Sequence, residues 1–222
     1  QPENISVIPI WGIPEISVAS ERTQYESSLD VRKLFNIGEE DFLVLFAGNI
    51  GIMQPVDDLV EAAKKCTENR VRFLILGGGV GFDDLRDTIK SVNLNNLILL
   101  RYQPQDVFQS ILIESDICVV TLAKGMEKYS VPSRAFTFMS AGKPIVAGMA
   151  EESDIGSIIK ENDCGWIVNS GSEMVDIINS CLNCPDIVKS KGQNGYDYYH
   201  KELSKTKSIE RFSRLIVEMK SI

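Results

Sequence analysis

Residues 42–51 read Phe42-Leu43-Val44-Leu45-Phe46-Ala47-Gly48-Asn49-Ile50-Gly51, six apolar residues without alternation running into a glycine-bracketed turn. A strand with one wet face alternates apolar and polar residues, so an unbroken apolar run is expected where helices cover both faces of a parallel sheet. The next stretch, Pro55 to Thr67, changes period, with Val56, Leu59, Val60 and Ala63 spaced for one helix face. The same unit then repeats. Val71-Arg72-Phe73-Leu74-Ile75-Leu76 precedes a helix carrying Leu85, Ile89 and Val92, and Leu97-Ile98-Leu99-Leu100 precedes one carrying Val107, Ile111 and Leu112. Ile117-Cys118-Val119-Val120 leads to a helix across Ser133 to Ser140. Ile145-Val146-Ala147 leads to one over Ile155 to Ile159, and Gly165-Trp166-Ile167-Val168 to one carrying Met174, Ile177, Ile178 and Leu182. Helical crossovers between such strands make right-handed βαβ units. The expected fold is therefore α/β, a doubly wound, Rossmann-like parallel sheet over about residues 41–185.

The ends read differently. Residues 1–40 are expected to hold a short strand, Ile5-Ser6-Val7-Ile8, then a segment punctuated by Pro9 and Pro14, a polar stretch from Ser17 to Ser28 and a short helix around Val31 to Phe35. Residues 186–222 are expected to be helical, with Phe212, Leu215, Ile216 and Met219 forming an apolar stripe that needs a surface to pack on. The first residues are Gln1-Pro2-Glu3 rather than Met, as expected of a trimmed product or an excised piece.

Composition narrows the function. The 222 residues are 44% hydrophobic and 24% charged, and 23 Lys and Arg against 31 Asp and Glu leave a net charge of −8. Nucleic acids and anionic membranes are bound through Lys and Arg that neutralise phosphates, so an acidic surface argues against both. A small anion held in a local pocket stays open. No run of 18 apolar residues is present, and no basic-then-apolar leader opens the chain. Cys66, Cys118, Cys164, Cys181 and Cys184 are scattered and odd in number, as expected of a reducing compartment. Cys181 and Cys184 lack the second pair or histidine that a tetrahedral metal site needs. His200, the single histidine, stands in a polar stretch as a solvated helix residue, which leaves a Ser-His-Asp hydrolase little to build from.

In open parallel sheets ligands lie beyond the carboxyl ends of the strands, and four loops are placed there. Gly48-Asn49-Ile50-Gly51 is either a phosphate contact backed by the Pro55 helix start or a turn that needs positive φ. Gly77-Gly78-Gly79-Val80-Gly81 fails the dinucleotide fingerprint, because its third glycine would fall on Phe82, and it reads as a flexible turn that disfavours NAD. Arg101-Tyr102-Gln103-Pro104 offers a ring and an amide to a nucleobase and a guanidinium to a phosphate, or is an ordinary polar loop. The longest, Ala123 to Arg134, carries Lys124, Lys128 and Arg134 and ends Ser130-Val131-Pro132-Ser133, with Ser130 or Ser133 able to cap the next helix. It is either an anion site or a solvated basic loop.

Together these residues resemble a family. Pro132-Ser133-Arg134 with Phe138-Met139-Ser140-Ala141-Gly142-Lys143-Pro144-Ile145-Val146-Ala147 is similar to the donor-binding block of family-4 retaining glycosyltransferases. Phe46-Ala47-Gly48-Asn49-Ile50-Gly51 with Gln54 is similar to their first glycine loop, and Ile8-Pro9-Ile10-Trp11-Gly12 to the link leaving their N-terminal half. The resemblance implies the C-terminal half of a GT-B enzyme. Residues 1–40 would be a linker, 41–185 the nucleotide-sugar domain, and 186–222 helices packing back on an N-terminal acceptor domain.

The implied reaction is metal-independent, retaining transfer of a hexose or amino sugar to a cell-surface polysaccharide or lipid-linked acceptor. The donor would be a UDP- or GDP-sugar, with no cofactor. Bacterial O-antigen, colanic acid and capsule enzymes are the subgroup it resembles. The implied place is the cytoplasm, with contact to the inner membrane face through the other half. The residues carried over are Gly48, Asn49 and Gly51 near the diphosphate, and Arg101, Tyr102 and Gln103 beside base and ribose. Ser130, Val131, Pro132 and Ser133 would lie under diphosphate and sugar. Tyr129 and Thr137 would take the places of two donor-binding Glu residues, the second of which binds ribose hydroxyls, and Arg134 and Lys124 would carry catalytic charge.

Two departures stand out. Glu-x7-Glu of many relatives falls on Tyr129 and Thr137, and their Arg and Lys beside the first glycine loop fall on Asn49 and Gln54. Arg134, Lys124 and Arg101 are expected to supply that charge. The alternatives are a GT-B sugar-nucleotide epimerase and a non-catalytic domain that has lost its donor site. The 222-residue chain alone is expected to bind nucleotide weakly and turn nothing over.

Overall fold

The computed structural model describes residues 5–12 and 30–219. After α1 (Val31–Leu34), strands and helices alternate: β1 (Phe42–Asn49), α2 (Asp57–Lys65), β2 (Val71–Gly78), α3 (Phe82–Ser91), β3 (Leu97–Leu100) and α4 (Gln105–Glu114). They continue as β4 (Ile117–Thr121), α5 (Arg134–Ser140), β5 (Ile145–Gly148), α6 (Asp154–Asn162), β6 (Gly165–Val168), α7 (Gly171–Asn183) and α8 (Pro185–Tyr198). A π-helical turn (Tyr199–Leu203) then joins α8 to α9 (Lys205–Met219). The six strands lie in the order β3-β2-β1-β4-β5-β6, all parallel.

The unbroken apolar runs have their expected cause. Leu43, Leu45 and Ala47 of β1 share one face with Leu74, Cys118 and Ile145, buried under Phe108 and Ile111 of α4, Phe138 and Met139 of α5 and Ile155 of α6. Val44 and Phe46 point the other way with Phe73, Ile117 and Val146, beneath Leu59 of α2, Phe82 and Leu85 of α3 and Met174 of α7. Each such side chain, withdrawn from water, contributes on the order of 1.5–3 kcal/mol before the entropy of ordering is counted. The chain winds from β1 out to β3, then returns to place β4 on the other side of β1. Strand order reverses there, so the crevice for a ligand lies beyond the carboxyl ends of β1 and β4.

The structure departs from expectation at the ends. Ile5–Ile8 is not a strand: Ile5 and Val7 are exposed, and the segment pairs with no edge of the sheet. The residues that follow it are bonded to the C-terminal helices. Ser208 Oγ donates to the Pro9 carbonyl at 2.8 Å, and the Gly12 amide donates to the Tyr199 hydroxyl at 3.1 Å. Pro14 and the polar stretch from Ser17 to Ser28 lie outside the described residues. The short helix forms as α1, where Arg32 meets Glu114 at 2.6 Å and donates to the Gly38 and Asp41 carbonyls. His200 is not solvated; it is packed between Tyr196 and Tyr199 in the π-helical turn, with its Nε2 buried. On α9 the expected stripe is largely in water, with Phe212, Ile216 and Met219 exposed.

Candidate functional site

The loop after β1 is seated on the loop after β2. The Ile50 amide donates to the Gly78 carbonyl at 2.6 Å, and the Gly81 amide donates back to the Ile50 carbonyl. A Cβ at Gly77 would lie 2.1 Å from the Gly48 carbonyl oxygen, and one at Gly79 (φ +119°) 2.3 Å from Asn49 Oδ1. Gly77-Gly78-Gly79 is thus a fitted seat for its neighbour rather than a flexible turn. Neither Gly48 nor Gly51 has positive φ. Gly48 lacks a side chain because Gln54 covers it, with Gln54 Oε1 2.6 Å from where a Cβ would stand.

This packing alters the phosphate reading of the first loop. The Ile50 amide is already spent on Gly78, and the Asn49 side chain is folded against Gly79. The first turn of α2 carries Asp57 and Asp58. Burial, aided by Glu61, Asp57 and Glu173, pushes the Asp58 carboxyl above its ordinary pKa. A helix start that holds carboxylates disfavours a second anion.

Beyond β3 the aromatic ring turns inward and the cation outward. Tyr102 lies over Gly78, and its hydroxyl donates to the Gly48 carbonyl at 3.4 Å. Gln103 Nε2 donates to the Arg101 carbonyl. Arg101 instead stacks on Phe82, 3.8 Å from the ring centre, and pairs with Asp83, so it is committed to α3 and absent from the crevice lining. Tyr102 and Gln103 join Gly48, Phe108 and Arg134 around a cavity of about 270 Å³.

Arg134, the first residue of α5, also lines a second cavity of about 280 Å³ with Ile10, Trp11, Ser133 and Thr137. Its guanidinium sits 4.9 Å from the Phe108 ring centre. Among the described residues no carboxylate pairs with it, whereas eight other Arg and Lys residues, from Arg32 to Lys191, each have one. Burial pulls its pKa below the ordinary guanidinium value, with nearby Tyr102 acting in the opposite sense. A half-buried cation without a counter-ion is costly, and an anionic ligand removes that cost. Ser133 does not cap α5: it is itself in helical conformation, and the first-turn amides of Ala135 and Phe136 go to the carbonyls of Pro132 and Ser133. The second cavity depends on Gly12, where a Cβ would stand 2.7 Å from the Thr137 amide nitrogen.

The rest of the long loop lies apart. It turns at Gly125 (φ +86°), with the Gly125 amide donating to Glu127 Oε1 and the Ala123 amide to the Met53 carbonyl. Lys124 and Tyr129 are exposed, and neither they nor Ser130, Val131 and Pro132 line either cavity. Sequence reasoning left out Trp11 and Phe108. Phe108 stands at helical spacing from Ile111 and Leu112 and reads as core; nothing in the spacing says that its ring also supports a guanidinium. Lys143 is structural, its Nζ donating to the Ile113 and Ser115 carbonyls at the end of α4.

A parallel six-stranded sheet with flanking helices and a crevice at its switch point is a Rossmann-like fold, and it matches that of GT-B glycosyltransferases. The chain belongs to the family described as Glycosyl transferases group 1, whose model matches residues 29–198. It is 30% identical over 121 residues to the Probable glycosyltransferase WbjE of Pseudomonas aeruginosa, covering 54% of this chain and 30% of that protein. It is 23% identical over 213 residues to the Putative colanic acid biosynthesis glycosyl transferase WcaI of Escherichia coli (strain K12), covering 95% and 51%. The chain thus spans about half or less of these relatives. Its fold matches WaaG, a glycosyltransferase involved in lipopolysaccharide biosynthesis, at TM-score 0.70 and 15% identity over 90% of this chain and 53% of that one. It matches Anabaena Alr3699/HepE in complex with UDP and glucose at TM-score 0.70 and 16% identity over 85% and 51%. No helix among the described residues is long and apolar enough to cross a membrane.

Proposed function

We propose that this chain is the donor-binding half of a glycosyltransferase that moves a sugar from a nucleotide diphosphate to a polysaccharide or lipid-linked acceptor. The observation that carries this is Arg134, a half-buried cation without a counter-ion among the described residues, bordering two cavities at the switch point. The diphosphate gains negative charge as the glycosidic bond breaks, and a positioned guanidinium stabilises that charge without a metal. Tyr102 and Gln103 would take the base and ribose of a UDP- or GDP-sugar. Lys124, Tyr129 and Ser130 to Ser133 would reach the donor only by movement of their loop. Retention of the anomeric configuration follows from the family reading alone.

The exposed stripe of α9 and the linker residues before Trp11 would meet an N-terminal acceptor domain, whose absence would leave the isolated chain without turnover. A cytoplasmic place, at the inner membrane face through that other domain, fits where sugar nucleotides are used. The rival reading is a domain that has lost its donor, favoured by Asn49 folded against Gly79 and by Thr137 where relatives carry Glu. Calorimetric titration with UDP, GDP, ADP and CMP separates the two. Saturable binding of one nucleotide, lost in Arg134→Ala, supports the donor reading. Binding that survives Arg134→Ala, or none at all, sinks it.

A further inference from the structure

We infer that Phe108 is a positioning residue of the donor site, whose ring holds the Arg134 guanidinium at the crevice with its charge and its N–H groups unspent. This rests on the donor reading above and adds to it the residue that sets where Arg134 stands.

Arg134 leaves the backbone at the first position of α5, and a side chain of that length can point many ways. Among the described residues its guanidinium meets neither a carboxylate nor a hydrogen-bond acceptor. It lies instead against the Phe108 ring, 4.9 Å from the ring centre. Two other cations lie over rings, and each is also pinned by a carboxylate. Arg101 stands 3.8 Å from the centre of Phe82 and pairs with Asp83, while Lys191 stands 5.1 Å from that of Trp166 and pairs with Asp163. Of the three, Arg134 is the one held by a ring alone.

That difference matters where an anion must bind. A carboxylate would fix the side chain and cancel its charge, and a carbonyl would occupy its N–H groups. A ring attracts the cation through its quadrupole, adds no charge of its own and leaves the five N–H donors for the oxygens of a ligand. An arginine ordered only on binding gives up rotamer freedom at that moment, and a platform already in place removes part of that loss. Phe108 is such a platform. It is 9% exposed and belongs to the buried cluster that holds Leu76, Ile111 and Leu112. Its amide donates to the Pro104 carbonyl at 2.9 Å in the first turn of α4. Ring and guanidinium line the same cavity of about 270 Å³.

The test changes the ring and leaves Arg134 in place, with UDP and GDP, and uridine and guanosine, titrated into the 222-residue chain. Phe108→Leu is expected to weaken the diphosphate about threefold to tenfold and to leave its nucleoside within about twofold. Phenylalanine analogues of rising fluorination at residue 108 keep the shape of the ring while draining negative charge from its face. Affinity for the diphosphate should fall step by step along that series, which a packing role would not cause. Because the analogues keep the core filled, they decide the matter if Phe108→Leu does not fold. In Arg134→Met neither change should matter, since the group acted upon is gone. A further readout needs no ligand: the ring should shift the Arg134 Nε–H proton signal upfield, and Phe108→Leu should release it. Four results overturn the positioning role and leave the donor reading standing. They are equal loss of nucleoside and diphosphate, an undiminished Phe108→Leu effect in Arg134→Met, indifference to fluorination, and an Nε–H signal that Phe108→Leu does not move. A native chain that binds no nucleotide removes the donor reading, and the positioning role with it.

Discussion

The ring of Tyr102 rests on Gly78 so closely that a Cβ at residue 78 would stand 2.9 Å from its Cε2 atom. From that seat the phenol reaches across β2 to the Gly48 carbonyl of β1, at 3.4 Å. One side chain from the loop after β3 therefore ties the ends of three adjacent strands into a single rim. Because Tyr102 is itself 60% exposed, its position is set by the missing side chain beneath it rather than by burial.

Gly78→Ala should therefore act on binding more than on folding. The added methyl displaces a mobile ring, so the melting temperature should shift by a few degrees at most, while nucleotide affinity falls by about tenfold. In a double-mutant cycle with Tyr102→Ala the two effects should be strongly non-additive, since they act through one ring. Additive losses in calorimetry would show that Gly78 matters for another reason.

Arg134→Met should bind nucleotide poorly and yet be as stable as the native chain or more so. The substitution keeps an unbranched apolar side chain over Phe108 and removes a partly desolvated charge that has no carboxylate partner among the described residues. Hydrogen bonds to a charged group contribute about 1.5–3 kcal/mol, which predicts a loss in affinity of about tenfold to a hundredfold. Thermal unfolding without ligand, paired with calorimetry, reads both quantities. A marked drop in the melting temperature would contradict the account.

Lys143→Met separates fold from function. Its ammonium holds the Ile113 and Ser115 carbonyls at the close of α4. Losing it should cost about 1.5–3 kcal/mol in urea unfolding and leave nucleotide affinity unchanged.

Asp116 supplies a pH test. It accepts from the Leu43 amide at 2.7 Å, but burial outweighs that bond and raises its pKa above the ordinary carboxylate value. A group whose folded pKa is raised binds its proton more tightly when folded. Its contribution is favourable below the unfolded value and is lost as pH rises through the folded one. Asp116→Asn, which keeps an acceptor for Leu43, should be more stable than the native chain at pH 7. The gain should vanish below about pH 4, as the native carboxyl takes up its proton. Denaturant unfolding at the two pH values measures the difference, and an equal gain at both would refute it.

Strand after strand was legible because burial on both faces leaves no polar position in the run, as Leu43 to Ala47 illustrate. Ile5 to Ile8 has similar composition, but strand propensity needs a partner edge, and the residues just after it are tied elsewhere, the Pro9 carbonyl to Ser208 and the Gly12 amide to Tyr199. In the site, Arg134, Tyr102 and Gln103 lie where the order of strands and loops predicts. Arg101 does not, because Phe82 and Asp83, distant in sequence, offer its guanidinium a nearer berth. Asn49 likewise looks like a ligand residue until Gly79 is seen beneath it. Side-chain direction at a loop depends on what the next loop brings, and a linear pattern does not carry that information.

The bond between Gly12 and the Tyr199 hydroxyl joins residues 187 positions apart, and that separation sets an order of events during synthesis. At about 5–20 residues per second, Gly12 waits on the order of ten to forty seconds for its partner to be made. The β1 to α5 core, with the Tyr102 cavity, can form on the ribosome in that interval. The Trp11 wall cannot be fixed until the π-helical turn has emerged, so the cavity it lines is completed only after the core that carries the first.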